Sequence, residues 1–350
     1  MELPVYRILI EDNKLAWLNK HIWSEQFVKA RISYKGKEVP ISLRYRGGHT
    51  REYPKRSYEI RTASATYHFN AEHDDPSLIR NALSFQLFET LKVPSPRTRH
   101  CLLYINQQRA GVYLQIEAVL PRFFRRRRIP VKSIIYAVNR HADFSHKESR
   151  GLSWFAGYRL IAGDEGERRR FVAFLQGMHE GSRAERAQRA QFLEQHLHVE
   201  QYLRWLCGAV LTGNYDGFNQ NYTIYEHGET RRYQMLPWDY EGTWGRNCYG
   251  KRVGADLVRI TGYNKLTEQI LSIPSYRRLY RSLLLHSMDT VFTPHKQLEQ
   301  AGERFDAIAG ELYKDKEYKW SRQEIQADLG VIYRYIQDRR GYIYSRLHQL

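Results

Sequence analysis

The 350-residue sequence predicts an α+β fold of two lobes, a β-rich N-lobe over residues 1–120 and a mainly helical C-lobe over 121–350. Three observations predict it. Up to residue 120, apolar and polar residues alternate in short runs parted by Gly, Pro and Asn turns, the pattern of half-buried strands. From residue 167 onward, apolar residues recur at helical spacing in one run after another. Between helices, Asn214–Tyr222 and Pro237–Glu241 bracket a short polar hairpin, the placing of a loop-borne site on a rigid frame.

Composition narrows the class. A hydrophobic content of 42% with 13% aromatics is globular and not disordered, and 26 Tyr against 14 Phe suit cleft walls as well as core. No run approaches the ~18 apolar residues of a spanning helix, and the N-terminal residues lack the basic and apolar regions of a signal peptide. A soluble, intracellular protein is the expectation. Cys101, Cys207 and Cys248 lie far apart, without the spacing of a zinc site or a disulfide framework. The net charge of +17 implies polyanionic partners, among them nucleotide phosphates, acidic proteins, nucleic acid or membrane surfaces.

In chain order, Val5–Ile10 reads as a strand, Asn13–Trp23 as an amphipathic helix and Gln26–Tyr34 as a second strand. Val39–Arg46 alternates, breaks at Gly47-Gly48-His49-Thr50-Arg51, and alternates again from Arg56 to Arg61. Such a strand, Gly loop, strand unit lets backbone amides approach phosphate oxygens. Gly47, Gly48, Arg46 and Lys55 are its candidate phosphate contacts, although a two-glycine loop taken alone is more often a plain hairpin. Ser77–Lys92 follows as a helix, whose Glu89 is the candidate ion-pair partner of Lys55. Arg99–Ile105 and Ala110–Glu117 form a hairpin that ends where a nucleotide-reading hinge would begin, with Glu117 at that place. Arg122–Arg128 is the densest basic run, read first as the solvated face of a short helix and second as a docking patch. No nucleic-acid-binding motif accompanies it, so no nucleic-acid partner is expected.

Ser133–Val138 reads as a strand, and Glu167–His179, Arg183–His196 and Val199–Thr212 as helices, the last delivering the loop at Asp216. Asp216 and Asn221 have the D-x-x-x-x-N spacing of a protein-kinase catalytic loop, in which the Asp takes the hydroxyl proton and the Asn holds a metal ion. Strands Tyr222–Tyr225 and Arg232–Leu236 fold the chain back, so Asp239 arrives beside Asn221 as the second metal ligand. Asp and Asn in a Gly-containing loop commonly just make turns. The order of base, ligand, hairpin and aspartate is what raises this loop above that reading and points to a kinase-like fold. Gly242–Asp256 is an activation or substrate segment, or a connector. The tail is helical over Lys265–Leu271, Ser275–Met288, Pro294–Tyr313 and Ser321–Leu347.

The chain resembles the spore-coat CotH family of atypical, secreted-kinase-like protein kinases. The resemblance rests on Arg44–Arg51 with Pro54–Tyr58, on Tyr104–Asn106 with Gly111–Tyr113 and Glu117, on Asn214–Asp216 with Asn219–Tyr222, and on Pro237–Glu241. It covers residues 5 to about 250. It implies an atypical protein-kinase-like fold and a Ser/Thr kinase dependent on ATP and Mg²⁺, or Mn²⁺, acting on serine-rich spore-coat proteins in the mother-cell cytoplasm and then the coat. Asp216 matches the family's catalytic aspartate and Asp239 its metal-binding one. Glu241 stands where members often have Asp, and Arg56 where a second Lys is common. Three alternatives stay open: an ATP-binding pseudokinase scaffold, an AMP-transferring enzyme on the same fold, and a metal-dependent hydrolase or nuclease.

Overall fold

The computed structural model describes residues 2–180 and 185–350. Seven strands form in the N-terminal third: β1 (Val5–Leu9), β2 (Val28–Tyr34), β3 (Lys37–Arg46), β4 (Ser57–Arg61), β5 (Thr66–Asn70), β6 (Thr98–Ile105) and β7 (Gln108–Glu117). They close into a barrel in the order β1-β2-β3-β4-β5-β7-β6. All neighbours are antiparallel except β1 and β6, whose parallel pairing seals the ring and removes the exposed strand edges of an open sheet. Alternation turns Ile8, Ile32, Ile41, Leu43, Ile60, Phe69 and Leu103 into a shared core, onto which α1 (Asp12–Lys20) packs Leu15, Trp17 and Leu18. Asn106 and Gln107, at φ +45° and +69°, make the two-residue turn between β6 and β7, the left-handed pair that matches strand twist.

Four further strands, β8 (Val131–Ala137), β9 (Tyr158–Ala162), β10 (Tyr222–His227) and β11 (Tyr233–Pro237), pair in the order β11-β10-β8-β9, all antiparallel. The helices are α2 (Arg80–Thr90), α3 (Pro121–Arg126), α4 (Glu165–Glu180), α5 (Arg186–His196), α6 (Val199–Thr212), α7 (Lys265–Leu271), α8 (Pro274–Thr290), α9 (Pro294–Leu312) and α10 (Arg322–Arg346). The start expected for the fifth at Arg183 lies outside the described residues. The fold is therefore α+β, as expected. Strands β5 and β9 were not foreseen.

Contacts group the chain into two units. The first runs to Ala82 and takes Pro96–Ala118 and Glu299–Gly330; the second takes Leu83–Ser95, Val119–Leu298 and Val331–Leu350. One crossing, Ala118 to Val119, follows Glu117 directly. In the second unit α6 is buried on nearly every side through Tyr202, Trp205, Leu206, Cys207 and Val210. A side chain at Gly208 would stand 2.3 Å from the Phe88 ring, so only glycine admits that contact. Among the described residues no helix is long and apolar enough to cross a membrane.

Candidate active site

Helix α6 stops at Gly213, whose φ of +72° ends it in the left-handed conformation while its N–H reaches back to the Ala209 and Val210 carbonyls. The chain then turns through Asn214, Tyr215 and Asp216. Asn214 is 2% exposed and does two things. Its Oδ1 accepts the Gly217 N–H at 3.0 Å, closing the turn that carries Asp216, and its Nδ2 donates to the Asp239 carbonyl at 3.4 Å. One buried amide thus ties the Asp216 loop to the Asp239 segment, a role the sequence did not single out. Its signal was there, in an Asn directly after a helix-ending Gly.

The β10–β11 hairpin sets the other two residues. Tyr222 pairs with Pro237, and just beyond that pair the Trp238 N–H donates to the Asn221 carbonyl at 3.2 Å. Asn221 and Asp239 therefore flank the open end of one hairpin. Both are left-handed, at φ +59° and +56°, a conformation that Asn and Asp tolerate better than other side chains and that clusters at functional sites. Among the described residues the Asn221 side-chain amide makes no hydrogen bond.

The chain returns to this corner once more. The Gly242 backbone lies so close to the next turn that a Cβ there would meet the Cys248 nitrogen at 2.6 Å. Trp244 is anchored by its N–H on the Thr212 carbonyl at 2.9 Å and by its indole on Ser84 Oγ at 2.9 Å, and the Asn247–Lys251 turn is closed by backbone and Asn247 side-chain bonds. The Gly242–Asp256 stretch is thus folded onto the loop at this end. The Cys248 thiol lies within reach of the Asp216, Glu241 and Asp239 charges. Burial first, then the Asp216 charge, push its thiol up to about 12. The thiol beside the Asp216 loop therefore stays protonated. The sequence offered no special role for Cys248.

Among the described residues no three His, Cys, Asp or Glu side chains converge as a metal cage on their own. The carboxylate of Asp239 and the unengaged amide oxygen of Asn221 are two hard oxygen donors, which suits a cation such as Mg²⁺ that takes few protein ligands and completes its shell with phosphate and water oxygens.

The other candidate residues belong to the first unit. Gly47 and Gly48 are exposed between β3 and a single turn at His49–Glu52. Arg51 braces that loop, donating from Nε to the Gly47 carbonyl at 2.8 Å and pairing with Glu25 at 2.7 Å. Arg46 holds Asn70 of β5. Lys55 is buried, its ammonium 2.7 Å from Asp315 and 2.5 Å from the Val112 carbonyl, between the rings of Tyr113 and Tyr318. Burial lowers its pKa and the Asp315 charge offsets part of that. Asp315 also accepts the Val112 N–H at 3.2 Å and sits where a Gly111 Cβ would be, 2.0 Å from Oδ2. The expected partner Glu89 is engaged elsewhere: it accepts the Ser95 N–H at 2.9 Å and faces Arg127 at 3.8 Å. Glu117, 7% exposed, closes a strand-end pair with Arg97. The basic run shows the solvated face of a short helix, with Arg125, Arg126 and Arg128 exposed, while Phe123 and Phe124 are buried and Arg127 lies 3.7 Å over the Phe123 ring and donates to the Ser95 carbonyl.

The family profile described as CotH kinase protein matches residues 43–343. The inner spore coat protein H of Bacillus subtilis is 34% identical over 99% of this chain and 98% of its own length. The chain belongs to the CotH family. A second Bacillus subtilis relative, an inner spore coat protein H-like protein, is 26% identical over 85% of this chain and 87% of its own. Among solved structures, a Shewanella oneidensis complex of HipA and HipB with operator DNA aligns with a TM-score of 0.41 at 12% identity, over 99% of this chain and 74% of that one. The Helicobacter pylori proinflammatory kinase CtkA aligns at 0.35 and 10%, over 87% and 93%. Every candidate residue of this CotH chain lies inside the matched range.

Proposed function

We propose that this CotH protein is an ATP- and Mg²⁺-dependent Ser/Thr protein kinase of atypical, two-lobed kinase-like fold whose substrates are serine-rich proteins of the spore coat. The observation that carries the reading is the corner where Asp216 and Asp239 are joined through Asn214, with Asn221 across the hairpin end. The spore-coat setting draws on the name of the 34% identical relative.

In this reading Asp216 accepts the hydrogen bond of the substrate hydroxyl, aims it, and takes its proton as the bond to phosphorus forms. Asp239 and Asn221 hold the cation. Mg²⁺·ATP supplies the phosphoryl group and the neutralising charge. In the first unit Gly47, Gly48 and Arg46 are assigned to nucleotide phosphates and Glu117 to the nucleotide's base. Lys55, the remaining phosphate candidate, is buried with its ammonium on Asp315 and the Val112 carbonyl, and is assigned to steadying that side of the site. Phosphoryl transfer demands little covalent chemistry of a protein, so fixed position and charge carry the rate. A nucleotide-binding scaffold without transfer is the second reading, since Asn221 and Asp239 at the hairpin end could hold a nucleotide's cation with no part played by Asp216. Intact-mass analysis of a serine-rich protein incubated with this chain, ATP and Mg²⁺ separates them: a gain of about 80 Da per site is phosphoryl transfer, a heavier adenylyl adduct is AMP transfer, and no gain is the scaffold.

A further inference from the structure

Beside the Asp216 loop the second unit holds a cleft of about 800 Å³. Tyr215, Phe218 and Asn219 of that loop form one wall, and Arg259, Tyr263 and Arg277 line the rest. Two carboxylates at its rim, Asp143 and Glu268, are already paired. Asp143 pairs with Lys147 at 2.6 Å and Arg150 at 3.3 Å, and Glu268 with Lys265 at 2.7 Å. The two arginines are not. Arg259 lies 4.5 Å over the Tyr263 ring, and Arg277 gives its Nε–H to the Leu271 carbonyl at 2.7 Å. Among the described residues neither meets a carboxylate. Asn219 adds a buried Oδ1 with no hydrogen-bond partner, an acceptor suited to a peptide N–H.

We propose that this cleft binds a phosphoserine of the substrate chain, so that a segment already phosphorylated is preferred for the next transfer. The proposal rests on the kinase reading above and names the substrate form that reading would favour. Two guanidinium forks match a phosphate dianion of charge about −1.5 to −2 better than any neutral serine side chain. Tyr215 is half exposed, packs edge-on to Tyr263 at 5.5 Å, and is bonded directly to Asp216. A chain seated on that wall continues to the reacting corner.

The test uses a labelled serine-repeat peptide with one phosphoserine and its unphosphorylated twin. Without nucleotide, fluorescence anisotropy should show the phosphopeptide binding at least about tenfold tighter, as expected for charge-assisted bonds from two arginines. The Arg259→Gln/Arg277→Gln protein should bind the two peptides alike. In the transfer assay the KM ratio of the two peptides should fall toward one in that variant. Equal binding of both peptides by the unaltered protein, or a preference that survives the double substitution, overturns the proposal. Displacement of the phosphopeptide by Mg²⁺·ATP in a competitive manner overturns it as well, making the cleft a nucleotide site. Phosphopeptide binding with no transfer would refute the kinase reading alone, and transfer without preference would refute the cleft alone.

Discussion

Replacing Asp315 by Ala removes the carboxylate paired with an ammonium whose side chain is 1% exposed, from a position itself 2% exposed. What remains is Lys55 with one carbonyl and two ring faces, and a Val112 N–H without its acceptor. Breaking one side of a buried pair costs about 3–5 kcal/mol because the surviving charge stays desolvated. Urea unfolding followed by tryptophan fluorescence should show that loss. The double substitution Lys55→Met/Asp315→Leu should recover most of it, since a buried pair exchanged for apolar groups of similar volume is often neutral. The pH dependence has a defined sign. Burial sets the folded Lys55 pKa below its ordinary 10.5, so the unfolded chain binds the proton more tightly and stability rises with pH up to that value. Asp315→Asn lowers the folded value further and should widen that alkaline rise. A loss under about 1 kcal/mol for Asp315→Ala, with no recovery in the double variant, would refute the pairing as a support of the first unit.

Gly242→Ala inserts a Cβ 2.6 Å from the Cys248 nitrogen; backbone must shift, at a cost of about 1–3 kcal/mol, and the transfer rate should fall with the displaced corner, read by thermal unfolding and phosphate incorporation. Cys248, with its thiol pushed up to about 12, should alkylate at pH 8 on the order of 10³-fold more slowly than an ordinary thiol, because the thiolate is the reacting form. Asp216→Asn removes the neighbouring charge and should speed that alkylation, followed by peptide mass.

Local pattern carried much of the fold. Helix α7 begins and ends where periodicity places it, α6 ends at the Gly that no other residue would replace cheaply, and the β10–β11 hairpin follows from alternation around a polar turn. Strand β5 was missed because Thr66–Asn70 puts buried His68 and Asn70 among its apolar residues, and their burial is set by β4 and β7 on either side. Strand β9 likewise owes its register to β8. The same limit governed the site. Asp216, Asn221 and Asp239 lie on neighbouring turns whose placing was readable from spacing, whereas Asp315 reaches Lys55 across 260 positions and the Cys248 backbone meets Gly242 through a returning loop. No local periodicity encodes either contact.

The kinase reading stands most directly on the rate of phosphate incorporation into a serine-rich protein, measured beside nucleotide binding for the unaltered chain, Asp216→Asn and Asp239→Ala. The account predicts that Asp216→Asn loses on the order of 10²-fold or more in rate and still binds nucleotide, since it removes the group that aims the hydroxyl, and that Asp239→Ala loses both. Transfer that persists at the unaltered rate in Asp216→Asn would contradict it.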